Sequence, residues 1–119
     1  MDIESFRDYC LKKAGVTEEF PFDNNTLVFK VMNRMFALAD VDHFESINLK
    51  CDPEKALQLR ERFSGIRPGY HMNKKHWNTV EMDGTVPDNL VIEMIDESYA
   101  LVVAGLPPRA RNELSLEDN

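Results

Sequence analysis

Between residues 27 and 51 the chain carries three short strand-like runs with only brief polar breaks, and this crowding decides the fold class. Leu27-Val28-Phe29-Lys30-Val31-Met32 is rich in β-branched and aromatic residues. Met35-Phe36-Ala37-Leu38-Ala39 returns after only Asn33-Arg34, expected as a two-residue hairpin turn because Asn tolerates a left-handed backbone. After a loop over residues 40–45, Ser46 to Cys51 alternates cleanly. Ile47, Leu49 and Cys51 face inward, while Ser46, Asn48 and Lys50 face out. Three such strands in succession form an antiparallel meander.

Helical spacing brackets the meander. Ile3, Phe6, Cys10 and Ala14 share a face, with Gly15 expected to end that helix. Asp52-Pro53 is an N-cap followed by a favoured first helical residue, and Ala56, Leu59 and Phe63 make its buried stripe. A third helix starts at Pro87, buries Leu90, Val91, Met94, Ile95, Ser98 and Val102, and ends at Gly105. Between the second and third helices an extended segment to Met72, a tight loop through His76 and a strand from Trp77 to Met82 are expected. Pro21 argues against a helix over Val16 to Phe22, where Phe20 and Phe22 are expected to pack the first helix onto the sheet, the alternative being an exposed apolar patch for a partner. The order α-β-β-β-α-β-β-α gives a two-layer α+β domain, with helices on one face of an antiparallel sheet.

A chain of 119 residues fits one domain. Residues 1–106 are its expected extent, and residues 107–119 a flexible acidic tail. No apolar run approaches the ~20 residues that span a bilayer, so no membrane is expected as partner. The N-terminus lacks a basic-then-apolar leader, which makes a cytoplasmic location the default expectation. Cys10 and Cys51 read as reduced, buried thiols.

The net charge is −7, but it is uneven. Lys50 to Trp77 holds seven Lys/Arg against three Asp/Glu, net +4, which leaves −11 elsewhere. Within this basic island, Arg67-Pro68-Gly69-Tyr70-His71-Met72-Asn73-Lys74-Lys75-His76-Trp77-Asn78-Thr79 concentrates cationic, imidazole, aromatic and amide side chains. Lys74 and Lys75 can hold phosphates, with Lys50, Arg67 and His76 near. Tyr70 and Trp77 can stack on bases, and Asn73 or Asn78 can read base edges. The competing reading makes Tyr70 and Trp77 core aromatics at strand ends and the lysines an ordinary solvated loop.

The chain resembles the MmcQ/YjbR family over nearly all of its length to Leu106. The resemblance rests on Gly15-Val16-Thr17-Glu18-Glu19-Phe20-Pro21-Phe22, Phe29-Lys30-Val31, Asn48-Leu49-Lys50-Cys51-Asp52-Pro53, Arg67 to Trp77, and Ser98-Tyr99. It implies a small bacterial domain of CyaY-like α+β fold, of a kind labelled DNA-binding from a proposed double-wing arrangement.

Other chemistries find little support. His71 and His76 have no nearby Cys or paired carboxylate, so no metal is expected there. His43 with Asp40, Asp42 and Glu45 reads as a solvated loop. No Ser or Cys stands beside an oriented base, and no glycine-rich phosphate loop is present, so neither catalysis nor a cofactor is expected. The expected function is binding of DNA by a monomer. Its candidate residues are Lys50, Arg67, Tyr70, His71, Asn73, Lys74, Lys75, His76 and Trp77. The alternative is a protein-interaction or small-ligand module using the same surface.

Overall fold

The computed structural model describes residues 1–118; Asn119, the end of the expected tail, lies outside them. The elements run α1 (Ile3–Leu11), β1 (Val16–Glu19), β2 (Thr26–Val31), β3 (Arg34–Asp40), β4 (Ser46–Lys50) and α2 (Pro53–Arg62). They continue through β5 (Ile66–Pro68), β6 (Trp77–Glu81), α3 (Asp88–Ala104) and α4 (Pro108–Asp118). Among the described residues the strands form one antiparallel sheet in the order β1-β2-β3-β4-β6-β5. The fold is α+β with the helices on one face, as the sequence implies.

The register sorts side chains onto two faces. Phe29, Ala37, Leu49 and Val80 point toward the helices with Phe6 and Cys10 of α1, Leu59 of α2 and Ile95 of α3. Phe6 meets Phe29 edge-on, with ring centroids 5.5 Å apart. Asp2 caps α1 by accepting from the Ser5 N–H, and Asp52 caps α2 by accepting from the Lys55 N–H, so each helix begins where a short side chain can satisfy an orphan donor.

Five local expectations change, besides the end of α1, which stops at Leu11 with Lys12 as its C-cap, short of the expected Gly15. The hairpin turn is Met32-Asn33, both at positive φ (48° and 69°), and Val31 pairs with Arg34. A two-residue primed turn needs positive φ at both central positions. Asn33 supplies the second of these, which leaves Arg34 free to start β3. The early turn is compensated by an irregularity beside Phe29/Lys30, which leaves Phe36 opposite no partner. Phe36 and Ala37 both join the helix-side core, and the Phe36 carbonyl accepts from Ser98 Oγ at 2.5 Å. Ser98 Oγ in turn accepts from the Lys50 N–H at 2.9 Å, so one buried hydroxyl of α3 ties β3 to the end of β4.

Second, Val16–Glu19 is a strand and extends the meander to four. Third, β5 covers only Ile66–Pro68 of the segment expected to run extended to Met72. Fourth, the expected flexible tail folds as α4. Its Leu114 is buried and lies so close to Gly15 (φ +71°) that a Cβ there would come within 2.5 Å of it. Fifth, Phe20 and Phe22 do not clamp α1 to the sheet, being 48% and 65% exposed.

Candidate functional site

Among the described residues no helix covers the second face of the sheet, and a short loop takes its place. Val28, Leu38 and Trp77 form a small buried cluster there, with Met35 and Met72 packed against it. Trp77 is only 9% exposed. It closes this cluster and is not a stacking platform.

Residues 69–76 return from β5 to β6 over this cluster, and their polar groups mostly hold the loop's own shape. Gly69 donates to the Trp77 carbonyl at 2.8 Å, and a Cβ on Gly69 would meet Trp77 Cβ at 2.7 Å, so only glycine fits. Asn73 Oδ1 accepts from the Lys75 and His76 N–H groups. Lys74 Nζ donates to the Gly69 carbonyl at 3.2 Å. Arg60, reaching from α2, donates to the Asn78 carboxamide and to the Lys74 and Trp77 carbonyls. Asn78 is fully buried on the helix side, so it reads no base edge.

The remaining candidates separate. Arg67 pairs with Glu81 at 2.5 Å. Lys50 lies on the open face opposite Trp77, and Lys75 projects from the loop; neither side chain has an ion-pair partner among the described residues. His76 is half-buried beside the β6 start. Tyr70 is 67% exposed, its ring 4.0 Å from that of His71. His71 sits at φ +58°, in the left-handed region that His adopts more readily than most side chains.

Tyr70 stands at the rim of a cleft of about 680 Å³ laid across the open sheet face. Leu38, Ala39, Ser46 and Asn48 floor it; Phe22 and Asp23 wall one side, and Tyr70 to Asn73 the other. A relay fixes the floor. The Tyr70 N–H donates to Thr79 Oγ1 at 2.9 Å, and Thr79 Oγ1 donates to Asn48 Oδ1 at 2.6 Å. The exposed Phe22, which did not close the core, instead closes this cleft.

The sequence singled out the loop but not Asn48, Thr79, Asp40 or Phe22 as site residues. One signal was present: the outward alternation Ser46-Asn48-Lys50 places polar side chains on a face that no helical stripe is available to cover.

Among the described residues no group of three or more His, Cys, Asp or Glu is placed to hold a metal ion. Burial pushes the Cys10 thiol up to about 12 and also raises Cys51, and both lie on the helix side, away from the cleft. No helix among the described residues is long and apolar enough to cross a membrane.

A family model, YjbR, matches residues 11–101. The YjbR protein of Escherichia coli (strain K12) is 36% identical over 115 residues, covering 96% of this chain and 98% of its own. YbdF of Escherichia coli O157:H7 is 40% identical over 107 residues, 89% of this chain and 88% of its own. The crystal structure of Deinococcus radiodurans protein DR2400, a DUF419 domain, superposes with a TM-score of 0.89 at 43% identity, covering 95% of this chain and 87% of that one. A crystal structure from Pseudomonas syringae gives 0.71 at 29% identity, over 85% and 98%.

Proposed function

The chain belongs to the YjbR family, and from that premise we propose that it is a binding protein without catalysis, holding single-stranded nucleic acid on the open face of its sheet. One observation carries the reading: Tyr70 is exposed at the rim of a cleft across a sheet face that no helix covers. Open antiparallel sheets bearing exposed aromatics hold splayed bases by stacking.

The cations favour a single strand over a duplex. Duplex affinity depends on many phosphate contacts, on the order of six to ten in strong binders. Here Arg67 shares its guanidinium with Glu81 and Lys74 gives one donor to the Gly69 carbonyl, so Lys50, Arg67, Lys74 and Lys75, two of them already engaged, fall short of such a cluster on a chain of net charge −7. Stacking contributes about 1–3 kcal/mol per base and needs no such cluster. Both thiols are buried on the far face with raised pKa, which disfavours them as nucleophiles.

Fluorescence anisotropy with labelled single-stranded and duplex DNA at two salt concentrations tests this. The single strand is expected to bind more tightly. Tyr70→Ala is expected to weaken it by roughly 5- to 150-fold, the equivalent of about 1–3 kcal/mol. Lys50→Ala and Lys75→Ala should each flatten the salt slope by about 0.7. No single-strand binding at low salt with tens of micromolar protein would sink the reading, and a duplex preference would redirect it.

A further inference from the structure

The cleft beside Tyr70 has a chemistry unlike that of the loop around it. No Lys or Arg lines it. Its wall residue Asp23 is occupied by its own turn, accepting from the Asn25 and Thr26 N–H groups and from Thr26 Oγ1. On the floor, Ser46 Oγ, Asp40 and Asn48 keep capacity among the described residues, and the last two differ most in chemistry. Asp40 accepts from the Asp42 N–H through Oδ1 at 3.1 Å, and its Oδ2 has no partner among the described residues. Asn48 has its Oδ1 taken by Thr79, so its Nδ2 faces the cleft's side of the sheet with no protein acceptor among the described residues.

The register places these two groups together. Leu38 pairs with Asn48, and Asp40 lies two residues on from Leu38, so Asp40 and Asn48 share the open face as diagonal neighbours. Such neighbours stand about 7–8 Å apart, a gap that the edge of one planar base can bridge. The floor therefore offers a carboxylate acceptor and an oriented amide donor, beneath apolar surface from Leu38 and Met72 and between the rings of Phe22 and Tyr70.

Resting on the single-strand reading above, we propose that this cleft is a pocket for one guanine base. Guanine presents two adjacent donors, N1–H and N2–H, to the Asp40 carboxylate, and its O6 accepts from Asn48 Nδ2. Adenine and cytosine offer one exocyclic amine there. Uracil and thymine place carbonyls on both sides of their single N–H and are repelled by the carboxylate. A second hollow of about 490 Å³ opens on the other side of Tyr70, lined by Arg67, Pro68, Tyr70 and Lys74. It receives the phosphate, because the Lys74 ammonium has donors beyond the one given to Gly69 and the Arg67 guanidinium has donors beyond those facing Glu81. The ligand chemistry is thus a guanine nucleotide, whether free or part of a strand.

Four probes separate the outcomes: a short oligothymidine strand, the same strand with one central guanine, 5′-GMP and 5′-UMP. Binding is followed by NMR of the Asn48 side-chain amide and by anisotropy. The central guanine is expected to tighten the strand about tenfold or more. Asp40→Asn and, independently, Asn48→Asp should abolish that gain and leave oligothymidine binding in place. Asn48→Asp keeps the acceptor for Thr79, so a folding defect is not expected to mimic the result. Both strands binding equally would overturn the guanine pocket and spare the single-strand reading, and 5′-UMP binding as well as 5′-GMP would do the same. 5′-GMP binding with both strands inert would support the pocket and overturn the strand reading. No binding of any probe would overturn both.

Discussion

The two faces of this sheet are finished in different ways. Toward the helices, apolar groups interlock and the buried Ser98 hydroxyl both donates and accepts, joining Phe36 to Lys50. Toward the open face, Asp40 and Asn48 keep unused hydrogen-bonding capacity above a small apolar patch. One face spends its side chains on cohesion and the other leaves some of them available. On the helix-side face, buried Asn78 Nδ2 has no partner among the described residues, although Arg60 Nε satisfies its Oδ1 at 2.7 Å. Substitutions can test whether stability and binding divide along the same plane.

The largest effect is expected from Phe29→Ala. Phe29 is fully buried at the centre of the helix-side core, edge-on to Phe6. Truncation should cost about 3–5 kcal/mol, read as a lower urea midpoint. A loss below about 1 kcal/mol would mean that the helix-side core does not dominate stability, and the comparison would fail.

Ser98→Ala comes next. It leaves the Lys50 N–H and the Phe36 carbonyl without their partner at a fully buried position. The expected cost is about 1–3 kcal/mol with an unchanged denaturant slope. It should also raise amide exchange at Lys50, which links the buried hydroxyl to the end of β4 that carries a candidate cation.

A smaller, pH-dependent effect lies at the α1–α3 contact. Burial tends to raise the Asp96 carboxyl, but donation from Lys13 Nζ and Tyr9 OH outweighs it and the net shift is downward. The Arg7 guanidinium likewise lowers Glu18, chiefly by hydrogen bonding. A carboxyl whose folded pKa lies below its unfolded value adds stability above the ordinary carboxylate range and loses it as pH falls through that range. Thermal stability should therefore drop between about pH 5 and about pH 3, and Asp96→Asn should flatten part of that drop. The groups are partly exposed, so the Asp96 share is expected to be under about 1 kcal/mol.

What the sequence made legible follows the same division. Alternation at Ser46 to Cys51 and helical spacing at Val91 to Val102 are strong periodic signals, and both predict the buried face correctly. The hairpin slipped by one residue because Met32 gives no local sign that it will accept φ +48°. The bulge at Phe36 then shifts the register by one residue, so that Phe29 pairs with Ala37. The C-terminal helix looks like a tail in the sequence because its polar composition masks Leu114, whose burial depends on a contact near Gly15, far away in sequence. In the site, residue types pointed to the loop, yet composition could not separate Trp77, which closes a core, from Tyr70, which does not. That distinction rests on Trp77 standing on β6, against Val28 and Leu38, and Tyr70 in the loop before it.

Tyr70→Ala is expected to have the smallest effect on stability, and it tests the open face directly. The ring is 67% exposed and touches His71, so its removal should change stability by no more than about 0.5 kcal/mol. The backbone N–H that holds Thr79, and through it Asn48, survives the substitution, so the cleft floor keeps its geometry. Trp77→Ala, on the same face, should cost several kcal/mol because it empties the Val28–Leu38 cluster. Paired thermal melts of the two variants separate a ring that closes structure from one left for a ligand. A Tyr70→Ala loss approaching that of Trp77→Ala would make Tyr70 part of the fold and remove the platform on which the open face depends.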